Sequence, residues 1–432
     1  MKHITYKLLI LAVFFICHIN INAQRNVIWV HGLDGNASSW EHYNTIFDQE
    51  RNINSLRQTY DTGFGIDYMA NRVITSIDNY FAHKSHNPNN LAIGHSMGGV
   101  TIRDIDRITH NTGKRFGGYI TVASPNYGAP IANSIEDGSV ASAAQNAFQK
   151  IKDGPISERL MLPWGIWTIV TGLTTTKLGN IYINNDLMEN IIGTPTTIED
   201  LEQGSPTINA INYYTDHQNH TIPRISIWAQ ENSPVHWRLF SSASENYDND
   251  TEFAEKVNVA RAIYNGFATD NHTLGVINIF LDPAMAARYF FISRQWKKGR
   301  DWIDNSETIW CSLIKTTHQV QETYWVEVWV PDGPGKSVGN NSKPPDWEPP
   351  FGHWELQQRT RWVTVNDPSD GLLPKYTQIM KNNPTPNNTY RVYGANHIEV
   401  RDMTHDGNNV DETAVEFRKI FNRPEGDFFR TN

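Results

Sequence analysis

The chain has 432 residues, 39% hydrophobic and 19% charged, with a formal net charge of −9. That length buries one large core or two, and the composition is that of a globular protein rather than a disordered or fibrous one. The acidic excess argues against nucleic acid or an anionic membrane surface as the main partner.

At the N-terminus Lys2 and Lys7 frame an apolar run of about ten residues that reaches Cys17, too short to span a bilayer. Ile21-Asn22-Ala23 offers a cleavage point. Residues 1–23 therefore read as a secretion signal peptide, and the expected location is secreted, or the periplasm or cell envelope. An uncleaved anchor is the competing reading; Phe15 and Ile16 disfavour lipid attachment at Cys17. Without this segment Cys311 is the sole cysteine, which excludes an intrachain disulfide and a thiolate metal cluster. Its neighbours Ile309, Trp310 and Leu313 read as a buried helix face.

Residues 26–30 (Asn-Val-Ile-Trp-Val) are an apolar run ending in His31-Gly32, the signature of a buried parallel strand. Residues 39–49 read as a helix and 55–60 as a second strand. Ile66, Met69, Val73, Ile74, Ile77 and Phe81 fall at helical spacing and predict an amphipathic helix over 66–82. Residues 91–94 are a third strand, 100–108 a helix and 118–122 a fourth strand. This alternation predicts an α/β fold, with a mostly parallel central sheet and helices on both faces.

The rhythm then breaks. Two inserted cap segments are expected, at about 132–200 and 238–362, in an otherwise single domain over 24–432. The first has an apolar centre at 160–170, read as a lid. Between them, 225–229 resumes the sheet. Within the second, 254–267 and 283–302 read as helices. Trp325, Glu327 and Trp329 alternate, as do Trp354 and Leu356, so 323–330 and 354–365 read as paired strands around a Gly/Pro-rich loop at 331–350. Residues 390–393 are the last strand and 411–421 a closing helix.

The chemistry-bearing motif is Gly94-His95-Ser96-Met97-Gly98, followed by Gly99, set directly after a strand and before a helix. This is the G-x-S-x-G pattern, in which a tight turn lifts a serine hydroxyl above the sheet and small residues let the backbone fold back on itself. A bare glycine-rich turn is the alternative. A serine needs a base to take its proton and a carboxylate to orient that base. In this kind of fold the order is Ser, acid, His. Asp370, in a turn after the strand ending at Val365, and His397, just past the last strand, supply that order. Asp367 and His405 are the alternatives. Backbone donors for an oxyanion fall at Met97, at the start of a helix, and at Leu33, in the loop His31-Gly32-Leu33-Asp34-Gly35. No metal and no cofactor are expected. His83, His86 and the loop His217-Gln218-Asn219-His220 sit in no context that demands a metal, and no phosphate-binding glycine loop is present.

The segments 30–35, 94–99, Ala123-Ser124-Pro125-Asn126-Tyr127-Gly128-Ala129-Pro130, 201–206, Ser369-Asp370-Gly371-Leu372-Leu373-Pro374 and Asn396-His397 together resemble an α/β-hydrolase of the lipase type, near the secreted lipase and GPI inositol-deacylase-like group. The resemblance covers about half the chain. It implies the α/β-hydrolase fold, ester hydrolysis through an acyl-enzyme on Ser96, Asp370 and His397, and Leu33 and Met97 as oxyanion donors. It implies an ester or lipid substrate and no nucleic acid, with transient lipid-surface contact through the cap. Residues 238–362 depart from it in length and Trp content, which leaves the substrate open. Acyl transfer, thioester cleavage or lipid or glycan deacylation on the same triad, and a non-catalytic binding protein, are the rival readings.

Overall fold

The computed structural model describes residues 24–158, 194–217, 222–231, 250–331, 352–381, 387–403 and 410–431. The expected signal segment, the apolar centre at 160–170, residues 332–350, His220 and His405 lie outside them. The chain divides into a larger unit, residues 1–316 with 368–432, and a smaller one, Thr317–Asp367.

The larger unit is built on six strands: β1 (Arg25–Val30), β2 (Ile53–Arg57), β3 (Leu91–His95), β4 (Gly118–Val122), β5 (Arg224–Gln230) and β8 (Thr389–Tyr393). They lie in the order β2-β1-β3-β4-β5-β8, every neighbouring pair parallel. Strand residues alternate between two cores, as a period of two requires. Val27 and Trp29 enter one, Ile28 and Val30 the other. α1 (Glu41–Arg51) and the closing helix α10 (Glu412–Phe421) cover the first face through Tyr43, Phe47, Phe417 and Phe421. α2 (Ile66–Phe81), α3 (Met97–Thr109) and α7 (Pro206–His217) cover the second. A parallel sheet between two helical layers, with a serine at the tip of the central β3, is the α/β-hydrolase fold.

Two local expectations shift. The second strand runs over 53–57 instead of 55–60, because Tyr60 leaves the sheet edge to stack on the His31 ring at 3.8 Å. The helix expected from 39 starts as a 3-10 turn, Ala37–Trp40, capped by the Asn36 side chain, and continues as α1.

The short helices α4 (Pro130–Glu136) and α6 (Pro195–Leu201) flank the first insertion. The insertions themselves join. α5 (Ser139–Glu158) packs with the long hairpin α8 (Asp250–Asn278) and α9 (Pro283–Leu313) around a core of their own, with Ala147, Tyr264, Trp296 and Trp302 buried. α9 runs past residue 302 because Ile303, Ser306 and Trp310 continue its buried stripe. The smaller unit is one antiparallel hairpin, β6 (Thr317–Pro331) and β7 (Gly352–Asn366), with Trp329 opposite Trp354. Trp325, Trp354, Leu356 and Trp362 share one exposed face of it.

Phe417 is fully buried beside the rings of Trp29, Trp40, Tyr43, Phe47 and Phe421. Phe417→Ala removes the ring around which this layer packs and should cost about 3–5 kcal/mol in urea unfolding. A loss below about 1 kcal/mol would contradict this account of the core.

Candidate active site

Ser96 follows β3 and caps the start of α3 with φ 53° and ψ −129°, a backbone conformation that L-residues rarely adopt. Close backbone approach explains how it is held. A Cβ on Gly94 would sit 2.5 Å from the carbonyl of Gly98, and one on Gly98 would sit 2.5 Å from the carbonyl oxygens of Val30 and His31. A Cβ on Gly32 would sit 2.7 Å from the Ser96 Cβ, and one on Gly99 would overlap the Ser124 hydroxyl. The Ser96 N–H donates to the Val122 carbonyl at 2.9 Å, tying the turn to β4. The glycines the sequence singled out are therefore steric requirements.

The structure brings Asp370 and His397 to that serine. His397 Nε2 lies 2.9 Å from Ser96 Oγ, and His397 Nδ1 lies 2.7 Å from Asp370 Oδ2. Asp370 is fully buried, and its Oδ1 accepts from the N–H groups of Leu372 and Leu373 at 2.9 and 2.6 Å. The acid therefore has two backbone donors and the ring of His397. The His397 N–H donates to the Asp370 carbonyl at 2.7 Å, so acid and base are joined through backbone as well as side chains. The rival Asp367 lies in the hairpin unit, 4.0 Å from His318 Nδ1.

Leu33 and Met97, the two residues expected to offer backbone donors, lie on either side of the serine turn. Met97 is the first residue of α3, so its N–H has no intrahelical acceptor and faces the helix's positive end. Leu33 follows Gly32, whose Cα packs against Ser96. The loop carrying Leu33 is fixed by His31. Tyr60 N–H donates to His31 Nε2 at 3.3 Å, which leaves Nδ1–H to donate to the Gly32 carbonyl at 2.9 Å. Tyr60 O–H donates to the His31 carbonyl at 2.5 Å. Burial pushes the His31 imidazole down to about 4, with the Arg401 guanidinium acting in the same direction.

Several supporting residues escaped sequence reasoning. His95 Nε2–H donates to the His397 carbonyl at 2.8 Å, and burial holds its imidazole well below its usual range. It holds the backbone of His397 in place. Its one signal in the sequence was a polar side chain inside an apolar strand, which must find a partner. Asn396 forms a reciprocal turn around His397. Its Oδ1 accepts from the N–H groups of Ile398 and Glu399, and its own N–H donates to Glu399 Oε2. Gln378 clamps the acid loop to β5 through Ala229 N–H, the Ala229 carbonyl and the Leu373 carbonyl. Trp310, on α9, donates its indole N–H to the Gly371 carbonyl at 2.6 Å. The helical insertion thus touches the acid loop itself, a link no local pattern encodes. Cys311 is a half-buried free thiol pushed up by burial. No cluster of three or more metal-ligating side chains occurs among the described residues.

Residues 20–142 match the family described as "Putative serine esterase (DUF676)". That span holds the loop 31–35, the serine turn and the segment 124–130, while Asp370 and His397 lie beyond it. Comparison with curated protein sequences gives no match. Among solved structures the chain is similar to phospholipase PlaB from Legionella pneumophila, at 18% identity and a TM-score of 0.33, over 52% of this chain and 42% of that one. It is similar to Bacillus licheniformis lipase BlEst2 in mature form, at 15% identity and a TM-score of 0.30, over 51% and 72%. It is also similar to an extracellular α/β-hydrolase from a Paenibacillus species, at 12% identity and a TM-score of 0.28, over 47% and 77%. The chain spans less than half the length of the phospholipase it matches.

His31 titrates near 4 in the fold against an ordinary 6.5, so the unfolded chain binds more protons between those values. The stability this group contributes is complete above about pH 6.5 and is lost as pH falls toward 4, and buried His95 acts in the same direction. Urea midpoints measured from pH 7 to 4 should fall, and His31→Gln should flatten part of that slope. Parallel slopes for the two proteins would show that His31 is not buried neutral.

Proposed function

We propose that this chain is an exported serine ester hydrolase, a lipase or carboxylesterase, acting in the extracellular space or the cell envelope. The observation that carries the hydrolytic reading is the unbroken hydrogen-bond chain Asp370–His397–Ser96, on a serine held at positive φ. The basic, then apolar, residues 2–17 with Ile21-Asn22-Ala23 support export.

In this reading Ser96 Oγ attacks the ester carbonyl carbon as its proton passes to His397 Nε2. Asp370 keeps His397 in the Nδ1–H tautomer and stabilises the imidazolium without taking the proton. The negative charge on the former carbonyl oxygen is met by the N–H groups of Met97 and Leu33. Collapse of the tetrahedral intermediate breaks the bond to the leaving alkoxide, which receives the proton from His397. Water then attacks the acyl-Ser96 ester, His397 accepting its proton and returning it to Ser96, and the carboxylic acid leaves.

A fluorophosphonate probe should label the wild-type chain at Ser96, and Ser96→Ala should abolish both labelling and p-nitrophenyl ester hydrolysis. Asp370→Asn should leave the fold intact and lower kcat by about 10⁴-fold, because it stabilises the wrong His397 tautomer. Labelling that persists in Ser96→Ala would refute the assignment. Turnover confined to short acyl chains makes the enzyme a carboxylesterase, and turnover of long chains makes it a lipase.

A further inference from the structure

The end of the α8–α9 helical hairpin is uncovered. Between Asp270 and Asp282 the sequence has no Asp, Glu, Lys or Arg and includes Leu274, Val276, Ile277, Ile279, Phe280 and Leu281. All six are exposed, Phe280 to 93% and Leu281 to 77%, and Phe291 on α9 is exposed beside them in sequence. Large apolar side chains grouped this way on a surface mark an interaction site.

The tip is built rather than frayed. The Ile279 N–H donates to the Val276 carbonyl, and the Leu281 and Asp282 N–H groups donate to the Asn278 carbonyl. Asp282 Oδ1 caps α9 by accepting from Ala284 and Met285 N–H at 3.1 Å. The two helices close tightly behind it. A Cβ on Gly275 would meet the Phe290 ring at 2.8 Å, and the Ser293 hydroxyl donates to the Ala268 carbonyl at 2.6 Å. The fold therefore holds a convex apolar point outward.

The charge behind that point identifies what it meets. The first sixteen residues of α9, 283–298, contain Arg288, Arg294, Lys297 and Lys298 and no acid, in a chain whose net charge is −9. All four cations are exposed. Arg288 lies six residues past Asp282, about 9 Å along a helix. Interfacial helices bury their apolar side chains about 5–10 Å deep. With the tip inserted to that depth, Arg288 reaches the lipid phosphates, and Arg294 lies about one Debye length further out. Asp270 and Asp282 flank the apolar run, Asp282 with its Oδ1 engaged as the α9 cap, and the four cations outnumber them; the rest of the chain's negative charge is screened beyond that distance, so the local cations decide. The apolar run is too short to cross a bilayer, which takes about 20 residues, and no described helix is long and apolar enough to do so.

We propose that the α8–α9 tip is a membrane-docking element that inserts Phe280 and Leu281 into the surface of a bilayer carrying anionic headgroups. This gives lipid-surface contact a defined place in the chain. It stands apart from the hydrolytic reading, because binding can be measured without turnover.

The test is co-sedimentation of the full chain with phosphatidylcholine vesicles and with phosphatidylcholine–phosphatidylglycerol vesicles. Wild type and variants share the same N-terminal segment, so only the tip differs. Wild type should pellet with the anionic vesicles, and binding should weaken as salt rises. Phe280→Asp/Leu281→Asp should lower vesicle affinity about ten-fold or more while the melting temperature stays at the wild-type value. Arg288→Glu/Arg294→Glu should erase the preference for anionic vesicles by a similar factor. Equal binding by the Phe280→Asp/Leu281→Asp variant would overturn the proposal. So would a wild type that ignores vesicles but self-associates in a way this variant abolishes, which would make the tip an interface between copies of the chain.

Discussion

The site depends on backbones that approach more closely than any side chain permits. Gly94 lies against Gly98, Gly98 lies under the carbonyls of Val30 and His31, and Gly32 lies against the Ser96 Cβ. These three contacts lock the end of β1, the end of β3 and the start of α3 into one rigid corner. The strained φ of Ser96 is the local cost of that corner. What it secures is a hydroxyl lifted above the sheet, beside the first N–H of a helix and the loop that carries Leu33. Loosening any one contact would move the hydroxyl relative to those N–H groups.

Asp370 and His397 are held to the same corner by polar groups buried neutral. His95 reaches from the residue before the nucleophile to the carbonyl of His397. His31, stacked on Tyr60, holds the loop on the other side. A charged imidazole at either place would be buried without a counter-ion. Burial keeps both rings in their neutral form; the His31 ring then donates through Nδ1–H and accepts at Nε2, and the His95 ring donates through Nε2–H. The acid loop is pinned independently by Gln378 from its own segment and by Trp310 from α9. The insertion thus supports the loop that carries Asp370 from one end and carries an exposed apolar tip at the other. Long helices suit such a task, because they transmit position rigidly over tens of ångströms.

Much of the fold was legible in the chain. Continuous apolar runs located the strands of the sheet, because burial between two helical layers leaves them no polar face, and helical spacing located α2 and α10, because one-faced burial imposes that period. The serine turn was legible because its steric demands select glycine at fixed positions. Edges were less legible. Tyr60 left its expected strand because its ring and N–H are better satisfied by His31, a partner 29 residues away. The full length of α9 was obscured because its buried stripe changes partner along the helix, from the core shared with α5 and α8 at Trp296 and Trp302 to the core under the sheet at Trp310.

The sequence by itself determined the strands of the sheet, the glycine-bounded serine turn and the order of Ser96, Asp370 and His397 along the chain. Those features rest on local sterics and on the direction in which a parallel fold must be wound. Only the tertiary structure decided that Asp370 rather than Asp367 meets His397. It alone assigned Trp310 and His95 their supporting roles and left Phe280 and Leu281 uncovered. Each of these depends on which residues, up to 302 positions apart, come within hydrogen-bonding distance or fail to be buried. Local pattern records the period of burial but not the identity of the partner.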